Sequence, residues 1–181
     1  AIYAYDNISY DLDGDGTEEL ISLSPQDGLF VYFVNQKPGK KWKDKELDEG
    51  VYGGISPKGV GDIDNDGDID IVRSDTWYEN VNGDARKWEA HRTISYIDYV
   101  GEYGRSSRVF VVDMDGDGDM DVVQSEANNP ESRLVWHENK DSKGINWYVH
   151  PIATETEQDM HSLCVADFDN DGDLDVFTGG G

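Results

Sequence analysis

The sequence predicts an all-β protein assembled from tandem repeats, each of about 50 residues and four strands. A nine-residue acidic segment, DMDGDGDMD at residues 113–121, has three further versions whose first acids are Asp11, Asp62 and Asp167. The four segments start 51, 51 and 54 residues apart, and a fixed period of this size is typical of a repeat architecture. The residues after each segment are β-branched or alternate in polarity, as in MDVVQS, which predicts strands.

Each acidic segment has the composition of a calcium-binding loop. Oxygen-bearing residues occupy positions 1, 3, 5, 7 and 9, and glycine occupies position 6, where the chain turns sharply. Carboxylates crowded into one loop repel one another unless a cation lies between them. The loops contain no imidazole or thiolate, the ligands that would favour zinc or copper. We expect up to four Ca²⁺ ions, with position 7 contributing its backbone carbonyl. The predicted metal-binding residues are Asp11, Asp13, Asp15, Thr17 and Glu19; Asp62, Asp64, Asp66, Asp68 and Asp70; Asp113, Asp115, Asp117, Asp119 and Asp121; and Asp167, Asp169, Asp171, Asp173 and Asp175.

The loops do not belong to EF-hands. An EF-hand requires a glutamate at position 12 followed by a helix. Position 12 is Ser22, Arg73, Gln124 and Thr178 in the four segments, and strand-forming residues surround each of them. The loops are therefore predicted to connect strands.

Each repeat is predicted to contain one strand before the loop, one after it, a third ending in asparagine and a fourth starting with tryptophan. Asn35, Asn80 and Asn139 precede Trp42, Trp88 and Trp147 by seven or eight residues. Tandem four-stranded units of this length favour β-propeller blades, with the tryptophans packing between blades. The predicted repeats, in one partial domain of residues 1–181, are 1–50, 51–100, 101–157 and an incomplete 158–181. His91 and His150 are expected to be exposed on outer strands.

The loop consensus, the β-run that follows it and the WYEN…W…H pattern resemble the FG-GAP/VCBS calcium-binding propeller repeats. Related repeats occur in integrin α-subunit heads, in a fungal propeller lectin and in bacterial polysaccharide-active proteins. The resemblance covers essentially the whole chain and implies calcium between the first and second strands of each blade. It also implies a closed ring of about seven blades. We therefore expect the remaining blades to come from a larger chain or from other subunits.

The acidity of the chain is concentrated in the predicted loops. The formal net charge is −24, from 39 acidic and 15 basic residues, and 19 of the acids occupy the loop positions described above. Without a basic patch, nucleic acid is an unsuitable partner. No apolar run reaches the 18 residues or so of a membrane span. The single cysteine, Cys164, is expected to be a small buried hydrophobe.

Ligand recognition is predicted in the segments that link one blade to the next. The candidate residues are Tyr99, Tyr103, Arg105, Arg108, Asp159 and His161. Aromatic faces beside arginine and carboxylate suit sugar hydroxyls or acidic polysaccharide. Asn7 begins an Asn-Ile-Ser glycosylation sequon.

These features favour a non-catalytic recognition module that binds carbohydrate or a cell-surface partner. Loops of the extracellular calcium-binding type favour an extracellular, cell-surface or periplasmic location. An enzymatic alternative is the propeller part of a polysaccharide lyase or hydrolase, with Tyr103, Arg105 and His161 as its reactive groups, although common catalytic motifs are absent. A third alternative is a structural building block of an extracellular fibre or coat.

Overall fold

The regular structure of the described residues consists of β-strands. A computed structural model describes residues 4–24, 27–34, 37, 39–49, 53–95, 106–127, 133–153 and 160–180. All strands of these ranges belong to four sheets, which confirms the predicted all-β class. The same ranges contain no helix, and hence none long and apolar enough to cross a membrane.

The first two blades are four-stranded antiparallel sheets with the strands in chain order. The strands of the first blade are β1 (Asp6–Tyr10), β2 (Glu19–Ser24), β3 (Gly28–Phe33) and β4 (Lys43–Asp48). A two-residue strand, β5 (Pro57–Lys58), precedes the second blade, which contains β6 (Val60–Gly61), β7 (Asp70–Arg73), β8 (Thr76–Asn80) and β9 (Trp88–His91). The acidic loops lie between the first and second strands of each blade, as predicted.

The third blade repeats this plan and has one additional strand. Its four strands are β10 (Ser106–Val112), β11 (Asp121–Ala127), β12 (Leu134–Asn139) and β13 (Trp147–Ala153). The short strand β5 pairs in parallel with β10, so that part of the second repeat extends the third sheet. In the fourth repeat the described strands are β14 (Met160–Ala166) and β15 (Asp175–Gly180), which form a two-stranded antiparallel sheet. The sheets of the described residues do not close into a ring.

The second strand of each middle blade is apolar on both faces because it lies between two neighbouring blades. Ile71 belongs to the cluster shared with the first blade, whereas Val72 belongs to the cluster shared with the third. In the same way, Val122 belongs to the cluster shared with the second blade, and Val123 belongs to the cluster shared with the fourth. This alternation follows from the period of two in a strand, where successive side chains point to opposite faces.

The blades also fit together through the turn between the third and fourth strands. The indole Nε1 of Trp77 donates to the carbonyl of Gly144 in the next blade at 3.0 Å. A Cβ at residue 144 would lie 2.7 Å from the Trp77 ring and from Cγ2 of Ile63, so glycine is required there. Strand register places Val31 of the first blade where Trp77 lies in the second, and the opposing turn residue is Ala85. The larger side chain, Trp77, thus faces Gly144, and the smaller one, Val31, faces Ala85.

The expectation that Cys164 is buried is wrong. Cys164 is exposed on β14, whereas its neighbours Leu163 and Val165 are buried against the third blade. The cause is the alternation of the strand, which directs Cys164 to the opposite face together with its cross-strand partner, Phe177. Among the described residues nothing packs over that face, and Phe177 is 64% exposed.

We predict that Gly144→Ala destabilises the protein by about 2–3 kcal/mol, because the new methyl group overpacks the interface and residue 144 has a φ of +62°. Ala85→Gly is the matched control, since it changes the equivalent turn residue without adding an atom. We expect the control to change the free energy of unfolding by about 1 kcal/mol or less. Equal losses in the two variants, measured by denaturant unfolding, would contradict the fit described above.

Candidate metal centres

The four acidic loops adopt one conformation, which the first aspartate of each loop organises. Its carboxylate accepts the backbone N–H of the glycine at position 6, at 2.9 to 3.1 Å in all four loops. That glycine has a φ between +85° and +100°, a backbone region that side chains disfavour. The aspartate at position 5 accepts the N–H of position 7 in each loop. These local hydrogen bonds fold each nine-residue segment around its own carboxylates.

Each loop brings three carboxylates within reach of one ion. In every group, one oxygen from each residue lies within 4.8 Å of the others. The groups are Asp11, Asp13 and Asp15; Asp62, Asp64 and Asp66; Asp113, Asp115 and Asp117; and Asp167, Asp169 and Asp175. The aspartate clusters could therefore hold metal ions at the loops that the sequence singled out.

The donor set fits a hard divalent cation such as Ca²⁺. All donors are oxygens, which calcium prefers, and several remain available after the hydrogen bonds of the loop have formed. Asp11 Oδ1 and Asp64 Oδ1 are buried without a hydrogen-bond partner. Burial raises the pKa of Asp64, and the neighbouring Asp66 raises it further. A cation in the loop would compensate both the unused acceptors and the mutual repulsion.

The position-7 side chains lie outside the carboxylate groups. The hydroxyl of Ser142 donates to the carboxylate of Asp119. At the equivalent place in the second blade, the Asp68 carboxylate lies against Gly83, where a Cβ would come within 2.2 Å of it. Both aspartates thus point to the turn of their own blade. This orientation leaves the backbone carbonyl of position 7 as the atom available to a metal ion, which remains a prediction.

The carboxylate at position 9 has a structural role that sequence reasoning missed. Asp70 Oδ2 accepts the N–H of Ile63 at position 2 of the loop, and Oδ1 accepts the N–H of Asn80 on β8, both at 2.9 Å. Asp121 repeats this arrangement with Met114 and Asn139. In the second and third blades, position 9 therefore fastens the loop to the third strand of its blade, in addition to any contact with a metal ion.

The asparagine that ends the third strand joins its blade to the loop of the preceding blade. Asn139 Nδ2 donates to the carbonyl of Ile63 at 2.8 Å, and Asn139 Oδ1 accepts the N–H of Gly144. Asn80 makes the corresponding contacts, with Leu12 in the first loop and with its own turn. The recurrence of asparagine was visible in the sequence, but its contact with the preceding loop was not. Asn35 lies outside the described residues.

A second recurrent arrangement involves the histidines, and the expectation that they are exposed is wrong. His150 stacks on Trp136, with ring centroids 4.1 Å apart, and its Nε2 lies 2.7 Å from Glu138 Oε2. His91 forms the same contacts with Trp77 and Glu79 in the second blade. The histidine and tryptophan face each other because they are paired across the third and fourth strands. Both histidine side chains are only partly exposed.

The predicted ligand-binding residues are described only in part. Tyr99, Tyr103, Arg105 and Asp159 lie outside the described residues. The remaining two are brought together, because Arg108 Nε donates to the backbone carbonyl of His161 at 2.8 Å.

Arg108 and His161 lie at the opposite end of the strands from the acidic loops, since they precede the loop on β10 and β14. Arg108 is also 3.8 Å from the Asp6 carboxylate, which anchors the linker before β5 through the N–H groups of Ile55 and Ser56. Asn7, in the predicted sequon, is exposed on β1.

We predict that Asn139→Ala destabilises the chain by about 2–4 kcal/mol, because it leaves buried backbone groups of two blades without partners. Hydrogen exchange measured by mass spectrometry should increase in the loop at residues 62–70, in the preceding blade. Asn82→Ala, an exposed asparagine on the equivalent turn of the second blade, is the control and should leave exchange unchanged. Faster exchange confined to residues 113–121 would contradict the contact between blades.

We predict that the metal-free protein loses stability as the pH rises from about 6.5 to about 8. Burial raises the pKa of Asp70 to about 8, so in this interval Asp70 is protonated in the folded state and ionised in the unfolded state. A rise in pH therefore favours the unfolded state. Burial lowers the pKa of His137 to about 3. His137 therefore makes stability increase with pH, but only below about pH 6.5, the pKa of an unfolded histidine. Unfolding in chelator at several pH values tests this. Asp70→Asn should remove the slope, and an unchanged slope in that variant would contradict the assignment.

Comparison with known proteins agrees with this geometry. The model of the FG-GAP-like repeat matches residues 11–73 and 113–178, which contain all four loops. A solved structure of an Agrocybe aegerita lectin, described as recognising non-reducing terminal N-acetylglucosamine, is similar in fold with a TM-score of 0.55 and 18% identity. The similarity covers 95% of this chain but 46% of the lectin, so this chain spans about half of the lectin's length. No curated protein matches the chain.

Proposed function

Because the chain belongs to the FG-GAP-like repeat family, we propose that it is a calcium-stabilised propeller segment that binds carbohydrate outside the cell. The observation that carries the calcium part is the set of four carboxylate groups at equivalent places in four repeats. Two of these groups contain buried oxygens without hydrogen-bond partners, which a cation would satisfy. The ion would crosslink the start of one strand to the end of another within each blade.

Calcium would also act between blades in this proposal. In the first two loops the backbone carbonyl of position 2 accepts the asparagine side chain of the next blade, while its N–H is held by position 9 of its own loop. An ion that orders the loop would therefore order the surface against which the next blade packs. Stability gained from the ion would extend beyond the nine residues that bind it.

The proposed extracellular location rests on the class of loop. Calcium-binding modules outside the cell bind the ion at roughly 10⁻⁴–10⁻³ M, whereas cytosolic proteins require much tighter sites. The carbohydrate part rests on the resemblance in fold to a lectin and on the polar residues at the linker end of the strands. A calcium-dependent, non-catalytic role is consistent with these features.

We propose that further blade strands, from the same chain or from another, cover the face of the fourth repeat. In the second blade, Trp77 donates to the turn of the following blade. In the third blade the equivalent indole, that of Trp136, donates to Asp121 of its own blade instead. Among the described residues, the third acidic loop, beside Trp136, and the outer edge of β15 have no third strand of the fourth repeat against them. A further strand with asparagine at its end would complete the pattern.

We predict that chelation lowers the melting temperature and that calcium restores it. At a calcium concentration of one hundred times Kd, each ion contributes about 2.7 kcal/mol, and for a chain of this size each kcal/mol shifts the melting temperature by about 2–4 °C. Calorimetric titration should show four ions in the native chain and three in Asp113→Ala. Lys58→Ala, a substitution away from the loops, should retain four. If the titration shows no heat and no uptake of calcium, the calcium proposal is wrong.

A glycan array probed with and without chelator tests the carbohydrate part. We expect binding that is retained in calcium and lost in chelator. Binding to no glycan in either condition would contradict this part, while the calorimetric result would stand separately.

A further inference from the structure

We propose that the groove beside the first acidic loop binds an acidic sugar through cations of the first blade and of the turn of the second. The groove has a volume of about 620 Å³, which lies within the range typical of small-ligand sites, about 300–1,000 Å³. The inference rests on the proposed function, because it assigns a ligand class to a carbohydrate-binding propeller. It adds a site that is separate from the linker residues at the other end of the strands.

One wall of the groove is the first loop itself. Asp13, Asp15 and Glu19 line it, and Asp13 and Asp15 belong to the group of carboxylates that could hold a cation. With Ca²⁺ in place, Asp13 and Asp15 would hold the ion at this wall of the groove. Calcium takes six to eight oxygen ligands, so hydroxyl groups of a sugar could complete the set.

Three cationic residues also line the groove. They are Lys43 and Lys45 on β4, with Asp44 between them in the sequence, and Arg86 from the turn of the second blade. The side chains of these three residues form no ion pair with any residue that the structure describes. A carboxylate on a ligand would supply the missing partner, most effectively at Arg86, whose guanidinium can donate two parallel hydrogen bonds.

An aromatic ring also lines the groove. Phe33, at the end of β3, lines the groove and is only partly buried against the interface between the first and second blades. Phe33 is paired with Lys43 across the strands. The apolar face of a pyranose ring packs on such a side chain, while its hydroxyl and carboxyl groups reach the polar walls.

The corresponding place in the second blade is chemically different. Strand register aligns Phe33 and Lys43 with Glu79 and Glu89. Lys45 aligns with His91, which already pairs with Glu79. Two glutamates would repel an acidic ligand there, and the groove of the first blade is therefore not a general consequence of the repeat.

The distribution of charge along the chain supports the same conclusion. Five of the 15 lysine and arginine residues lie between residues 37 and 45, and two of these line the groove, although the net charge of the chain is −24. Exposed charges are screened beyond about 8–10 Å at physiological salt. A ligand in the groove therefore experiences these cations and the bound metal ion more strongly than the distant acidic loops.

The experiment is calorimetric titration of the calcium-loaded chain with a short oligogalacturonide and with its fully methyl-esterified form. We expect the acid to bind and the ester to bind at least about ten-fold more weakly, because esterification removes the charged group that pairs with the cations. Arg86→Gln should weaken binding of the acidic form by about ten-fold, and Lys43→Gln should weaken it by a similar or smaller factor. Lys143→Gln is the matched control, since it removes one charge beside the second loop.

A second pair of variants tests the contribution of the metal ion. Asp13→Asn in the first loop should weaken binding of the acidic oligosaccharide, whereas Asp64→Asn in the second loop should not. Melting temperatures of both variants in calcium establish that they are folded. The comparison has a binding readout and does not depend on an enzymatic assay.

Several outcomes would overturn the inference. Equal binding of the acid and its methyl ester would show that the carboxylate is not recognised. Equal weakening by Lys143→Gln and Arg86→Gln, or equally tight binding of polyglutamate, would reduce the effect to general charge attraction. Binding of neutral glycans alone would refute the acidic-sugar site but leave the proposed function intact. Binding of no glycan at all would refute both.

Discussion

The structure depends on the carboxylate at the ninth position of the acidic loops, which is buried in the first three of them. In the second blade Asp70 receives the backbone N–H of Ile63 from its own loop and that of Asn80 from the third strand. The side chain of Asn80 then reaches the carbonyl of Leu12 in the preceding loop. Loop, sheet and neighbouring blade thus share one hydrogen-bond network. Any event that orders one loop will change the free energy of the adjacent interface, and the coupling must be reciprocal.

Local patterns were sufficient to predict the loops and the order of strands. Alternating carboxylates, glycine at the sixth position and the β-branched residues that follow are all encoded within about 20 residues. The contacts of Asn139 could not be predicted in this way, because they depend on how the third blade is aligned against Ile63, 76 residues earlier. The double role of Asp121 was missed for the same reason, since its second oxygen binds a residue on another strand.

The acidic composition conceals local differences that bear on recognition. Four bound Ca²⁺ ions would change the formal charge from −24 to −16, so the chain would remain an anion as a whole. Lys43 and Lys45 of the first blade nevertheless lie with Arg86 of the second blade beside the first loop, whereas Glu79 and Glu89 occupy the register of Phe33 and Lys43 in the second blade. Repeats with nearly the same backbone thus offer different surfaces. Net charge describes the solubility of this chain better than its choice of ligand.

The pairing of Trp77 with Gly144, and of Val31 with Ala85, fixes the sequence in which repeats can follow one another. If the turns of the second and third repeats were exchanged, the methyl group of alanine would meet an indole and glycine would leave a void beside valine. Each repeat is matched to its predecessor and not to a common template. A duplicated repeat would therefore create a mismatched seam, and one of the two facing positions would have to mutate before the copy could pack well. The ancestry of such arrays should be visible as correlated changes between neighbouring repeats.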